Sequence, residues 1–255
     1  MTIDQAWLAE RGRELQAGIL FLTRLRYGAP GPVDGAMIGR AAWAFPVAGL
    51  LVGIVGAVVY GLAIKLGVPF WPAAALSIAA TMTLTGCLHE DGLADTIDGF
   101  GGGKTREQKL SIMRDSRIGT YGVCALAIAI LLRISALALL GAPGPVTAAL
   151  IAAHGAGRAV MPAFMALLPP ARGDGLSATA GQPPLGSTAA AAVLGVLILL
   201  LCLGFGHGLA ALIALAIAAA LVGWLSLHQI GGQTGDVLGA AEQVSEIVIL
   251  LVTLS

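Results

Sequence analysis

TYGVCALAIAILLRISALALL, residues 120–140, decides the fold class. One charged residue, Arg133, interrupts it, and about 20 apolar residues are what a helix needs to cross a bilayer. Outward from this stretch the same pattern recurs at 41–64, 71–88, 146–168, 188–203, 209–227 and 237–255. The pattern predicts an all-α, polytopic integral membrane bundle of about seven transmembrane helices, with six to eight as the range because 188–203 is short. Residues 1–255 read as a single membrane-embedded domain.

Composition agrees. Of 255 residues, 57% are hydrophobic and 11% charged, against roughly 25% charged in soluble domains, and the mean hydropathy is +0.89. Lys plus Arg and Asp plus Glu number 14 each, so no net field draws the chain to nucleic acid. The 36 glycines suit closely packed helices. Cys87, Cys124 and Cys202 lie far apart without metal or disulfide spacing. Within 1–40, the segment from Ile3 to Tyr27 mixes Arg11, Arg13, Arg24 and Arg26 with Asp4, Glu10 and Glu14 around Trp7, Leu15, Ile19 and Leu22. That is an amphipathic pattern for an interfacial helix, and it fits a signal peptide poorly.

Orientation follows from the basic residues, which are retained in the cytoplasm. Five precede the first span (Arg11, Arg13, Arg24, Arg26, Arg40) and five lie between the second and third (Lys104, Arg106, Lys109, Arg114, Arg117). The loops of the other side hold one, Lys65. With seven spans, the polar stretches 90–119, 169–187 and 228–236 then share the cytoplasmic face.

The first of these is the predicted catalytic loop, 89–119, and it carries 11 of the chain's 28 acidic and basic residues. It opens HEDGLADTIDG, which sets Asp91, Asp95 and Asp98 at i, i+4 and i+7, three carboxylates on one face if the second membrane helix continues. Like charges at that spacing repel. Hard Mg²⁺ or Mn²⁺ prefers carboxylate oxygen and joins it to substrate phosphates, so the stripe reads as a metal site, the alternative being a solvated helix end. Glu90 falls on another face, as a more distant member of the metal set or a solvent residue, and His89 as a cap or ligand. Residues 99–103 break the helix, and Thr105 with Gln108 reads as a capping box for the next one.

Arg114 and Arg117, around Asp115 and Ser116, suit bidentate phosphate binding or simple anchoring of the third span. Lys104 is a weaker phosphate candidate. In GGQTGDVLGA, 231–240, Thr234 is a predicted N-cap and the glycines leave backbone N–H groups for an anion. Asp236 there either completes the metal site or favours the helix dipole. Within the spans stand Arg133, Arg158, Glu242 and Glu246, groups that must be paired or functional in hydrocarbon. Arg158 and Glu246 each lie about 15 Å deep at 1.5 Å per residue, and so pair, while Glu242 is shallower and turns toward the site.

The segment 89–122, with HxDGLADxxDG and DSRIGTYG, resembles the signature of the cobalamin (cobamide) synthase family, the adenosylcobinamide-GDP ribazoletransferases. The resemblance extends to Phe21-Leu22-Thr23-Arg24, Phe45-Pro46-Val47-Ala48-Gly49, Arg158, Pro169-Pro170-Ala171-Arg172 and Gly232-Gln233-Thr234-Gly235-Asp236. It implies a Mg²⁺-requiring enzyme of the bacterial inner membrane, multi-pass, with its active site facing the cytoplasm. Its substrates would be adenosylcobinamide-GDP and α-ribazole or its 5′-phosphate. The products would be adenosylcobalamin or its 5′-phosphate and GMP, by displacement at phosphorus. On that reading the catalytic set is Asp91, Asp95, Asp98 and Asp236, and the metal set Glu90, Asp91, Asp95 and Asp98. The substrate-binding set is Lys104, Arg114, Asp115, Ser116, Arg117, Arg158, Gln233, Thr234 and Glu242. Membrane lipid surrounds the protein, and a homo-oligomer is a further expectation.

Two rivals are weaker. Asp95-x-x-Asp98-Gly99 echoes lipid CDP-alcohol phosphotransferases, but Gly101-Gly102-Gly103 stands where that motif goes on and its later aspartates are missing. A secondary transporter would place its binding groups near the bilayer midplane, whereas these acids cluster at one end.

Overall fold

A computed structural model describes residues 3–25 and 34–255, apart from the side chains of Ile3, Asp4 and Leu176. Arg26 and Tyr27 lie outside the described residues. The described chain is a helical bundle with no strand, and Pro170 and Gln233 make an isolated bridge. Four helical elements are long and apolar enough to cross a membrane: Gly35–Lys65, Thr120–Leu140, Pro143–Leu167 and Leu185–Ile230.

The chain opens with α1 (Ile3–Leu22) and α2 (Gly35–Arg40). The first half of α1 is exposed, as an interfacial helix would be. From Glu14 onward it docks: the buried Glu14 carboxylate accepts the Trp43 indole N–H at 2.7 Å and pairs with Arg11 at 2.8 Å. A 3₁₀ turn leads into α3 (Phe45–Lys65), and α4 (Phe70–Thr85) returns beside it.

The expected continuation of the 71–88 span is corrected here. The helix stops at Thr85, and Gly86 (φ 66°) and Cys87 (φ 57°) turn the chain by 89° into a separate helix, α5 (Leu88–Gly102). Glycine in the left-handed region is a common helix stop, whereas Cys87 is the one described non-glycine residue with positive φ. The aspartates therefore ride on a helix of their own. It packs between α7 (Thr120–Leu140) and α11 (Gly235–Val252), and is followed by the short α6 (Arg106–Ile112), capped by Thr105, whose Oγ1 accepts the Gln108 N–H.

At the centre lies α8 (Pro143–Leu167), packed on α3, α10 and α11. Contact with α3 is backbone to backbone, since a Cβ on Gly53 would lie 2.7 Å from the Leu150 carbonyl oxygen, the close approach that small residues permit. After α9 (Leu176–Ala180), α10 (Leu185–Ile230) breaks at Gly204 (φ 73°, ψ 176°). A Cβ on Gly208 would lie 3.0 Å from the Leu199 carbonyl oxygen, so its two arms form a hairpin. The sequence reading of two helices, 188–203 and 209–227, matches those arms.

The polar stretches converge at one end. Gln233 donates its N–H to Pro169 O and accepts from Ala171 N–H, both at 2.8 Å. Arg106 donates to the carbonyls of Ile230 (2.7 Å) and Ala171, and Lys109 to Gln229. At the opposite end Tyr60 donates to Gly141 O at 2.7 Å and His207 contacts the Ser255 carbonyl at 2.9 Å.

Candidate active site

The α5 stripe divides by function. Asp91 and Asp95 make no hydrogen bond or ion pair with the described residues and line a cavity of about 360 Å³. Arg114, Asp115 and Ser116 of the loop before α7 face them across it, with Met82, Met113 and Leu126 as apolar wall. Asp98 is buried and committed: its carboxylate accepts the N–H groups of Gly119 (2.7 Å) and Gly122 (2.9 Å). A side chain at either glycine would run into that carboxylate. Asp98 thus clamps the start of α7 onto α5, and the open carboxylates are Asp91 and Asp95.

Asp236 joins them from α11. The helices cross where Gly92 meets Gly239, and there Asp95 feels the charges of Asp91, Asp98 and Asp236 together with that of Arg172. Asp236 accepts from Thr234 Oγ1 at 3.2 Å and faces Arg172 Nη2 at 3.5 Å. Thr234 is the N-cap of α11, accepting from Val237 N–H at 3.3 Å. Gln233 is buried and hydrogen-bonded to Ser177. Both hold the loops together rather than opening onto the 360 Å³ cavity.

Arg172 is the residue that sequence reasoning missed. It stands in the Pro169-Pro170-Ala171-Arg172 turn, a position that gives no periodic or spacing signal for a role. With His89, Asp91, Ser177 and Asp236 it bounds a second chamber, about 200 Å³, on the other side of Asp91.

The loop arginines separate. Arg114 lines the larger cavity and pairs with Asp174 at 2.5 Å. Arg117 is 86% exposed and gripped by Asp115 at 2.7 Å. The guanidinium holds the Asp115 carboxyl down at about 2, and the carboxylate in turn raises the arginine. Lys104 is exposed and outside the cavity.

Three residues assigned to the site on the sequence take part in a buried ionic network beside the stripe. Glu90, assigned to the metal set, is buried and pairs through Oε1 with Arg133 at 3.0 Å, while its Oε2 has no hydrogen-bond partner among the described residues and the residue lines the 360 Å³ cavity with Asp91 and Asp95. Arg158, assigned to substrate, is 1% exposed and lies 2.6 Å from Glu242 and 2.9 Å from Glu246. Glu242, assigned to substrate, is wholly buried beside it. The reason is electrostatic: a charge this far from water requires a partner. The expected Arg158–Glu246 pair is present, and Arg133, for which no partner was assigned, bridges Glu90 and Glu246 (3.3 Å). His154, Glu242 and Glu246 could geometrically hold a cation, but the Arg158 guanidinium already occupies that place.

Residues 14–254 match the family model described as cobalamin-5-phosphate synthase. The adenosylcobinamide-GDP ribazoletransferase of Bradyrhizobium diazoefficiens is 57% identical over 239 residues, 94% of this chain and 92% of that one. That of Mesorhizobium japonicum is 55% identical over 237 residues, covering 92% and 90%. The Ralstonia nicotianae protein of the same name is 41% identical over 255 residues, 98% of each chain. No solved structure matches. The match runs along nearly the whole length, and the chain belongs to the cobalamin-5-phosphate synthase family.

Proposed function

We propose that the chain joins adenosylcobinamide-GDP to α-ribazole or its 5′-phosphate, giving adenosylcobalamin or its 5′-phosphate and GMP. The observation that carries the site is the open Asp91–Asp95 pair on a cavity wall, with Arg114 opposite and Asp236 and Arg172 at its far side. Two unpartnered carboxylates one turn apart are the hard oxygen donors that suit Mg²⁺, or Mn²⁺ in its place. Bound there, the cation would neutralise diphosphate charge and stabilise the GMP leaving group.

The chain's own groups do the rest. Arg114 draws the diphosphate into the larger cavity by charge, and Arg172 holds Asp236 from beyond Asp91. The ribazole hydroxyl oxygen forms a bond to phosphorus as the bond to GMP oxygen breaks, and Asp236 takes the hydroxyl proton. Asp98 fixes the loop bearing Arg114. The network around Arg158 and Arg133 holds α5 at its depth against α7, α8 and α11.

Orientation follows the same reading. On this reading the chain crosses the membrane seven times, α4 with α5 counted as one crossing and α10 as two, and the excess of basic residues on one side assigns the site to the cytoplasm of a cell with an inner membrane. The test is purified protein in lipid with both substrates. GMP and corrinoid product should appear with Mg²⁺ and vanish with EDTA; no product under either condition overturns the reading.

A further inference from the structure

The chamber of about 200 Å³ beyond Asp91 has apolar walls from Phe21, Phe45, Met161 and Met165. An apolar cavity of roughly 150 Å³ holds a benzene ring, whereas drug-sized ligands take roughly 300–1,000 Å³. The space therefore fits a flat bicyclic ring and excludes a corrin. Two donors at its boundary have no hydrogen-bond partner among the described residues, Nε2 of His89, which is 1% exposed, and Nη1 of Arg172. The His89 proton can be placed. Its Nδ1 lies 3.3 Å from Arg158 Nη2, a group that only donates, and 3.7 Å from Glu242, beyond hydrogen-bond length. Nδ1 therefore accepts and Nε2 carries the hydrogen. A buried N–H left unpaired is unfavourable, so the chamber calls for a flat apolar ligand with a ring acceptor.

We infer that this chamber binds the bicyclic base of the incoming ribazole, with His89 Nε2–H donating to the unsubstituted ring nitrogen. The inference rests on the transfer reaction proposed above. It puts the two substrates on opposite sides of Asp91, the nucleoside base in the apolar chamber and the diphosphate in the larger cavity.

The experiment compares α-ribazole with its indole counterpart, in which carbon replaces that ring nitrogen, by calorimetric binding to the protein in lipid nanodiscs. The wild type should bind the indole riboside about 10- to 100-fold more weakly, the scale of one unpaired buried donor. His89→Phe should bind α-ribazole that much more weakly and no longer distinguish the two, a loss of discrimination that mere loosening would not produce. Ala180→Leu, which narrows the chamber without removing the His89 donor, should weaken both nucleosides together. Equal wild-type affinity for the two, or no binding of α-ribazole, overturns the inference. If His89→Phe does not fold, the wild-type comparison decides alone. GMP release without discrimination overturns this inference and spares the reaction; discrimination without GMP release does the reverse.

Discussion

Gly92 on α5 and Gly239 on α11 meet so closely that a Cβ on Gly239 would lie 3.3 Å from the Gly92 Cα. This crossing sets Asp91 and Asp95 beside Asp236. A Cβ on Gly92 would lie 2.8 Å from the Asp236 carbonyl oxygen, and backbone cannot swing aside as a side chain can. Gly92→Ala should therefore force α5 and α11 apart, lowering stability by about 1–3 kcal/mol and turnover at least tenfold. Thermal melting and GMP release measure the two effects, and wild-type turnover in Gly92→Ala would show that the crossing does not set the site.

Asp98 is expected to act through the loop it holds. Asp98→Ala leaves the N–H groups of Gly119 and Gly122 without their acceptor, a loss of about 1–3 kcal/mol for each buried donor left unpaired. Amide exchange across 116–122 should quicken in the folded variant, with activity falling alongside. Unchanged exchange would return Asp98 to the role of an open ligand.

Breaking the network from one side should be worse than removing a pair. Arg133→Met leaves Glu90 and Glu246 short of a counter-charge, and losing one partner of a buried pair costs about 3–5 kcal/mol. The double variant Glu90→Gln with Arg133→Met should recover part of that loss. Additive losses in denaturation would show that Glu90 and Arg133 do not couple.

Arg114 and Arg117 should separate in kinetics. Arg114→Lys loses the planar fork at the cavity wall and should raise the KM for adenosylcobinamide-GDP about tenfold. Arg117→Lys, exposed and paired with Asp115, should change it little. A larger effect at Arg117 would mean that the loop turns inward with substrate bound.

Much of this was legible in the sequence, because its signals are local. The bundle follows from runs of apolar residues, the α6 and α11 caps from Thr105 and Thr234, and the Arg158–Glu246 pair from equal depth. The aspartate stripe was legible as spacing, but not the division between Asp98 and its neighbours, which depends on Gly119 and Gly122 arriving from another helix. The ion pair of Glu90 was hidden for the same reason: its partner, Arg133, is 43 residues away. The turn at Gly86 had its glycine signal. That Cys87 would share the left-handed region had none, since a cysteine carries no preference for it; there its N–H donates to Met82 O at 2.9 Å. Arg172 acquires its meaning only when the Pro170–Gln233 bridge brings its turn to the start of α11.

The central claim is that Asp91 and Asp95 are the open carboxylates at which the transfer occurs. The direct measurement is GMP release by Asp91→Asn and Asp95→Asn in lipid, beside a melting curve for each. The account predicts a loss of turnover of about a hundred- to a thousandfold, of the order that removal of one transition-state electrostatic group produces. It also predicts melting temperatures at or above wild type, because each change removes a repelling charge. Wild-type turnover in either folded variant would contradict it.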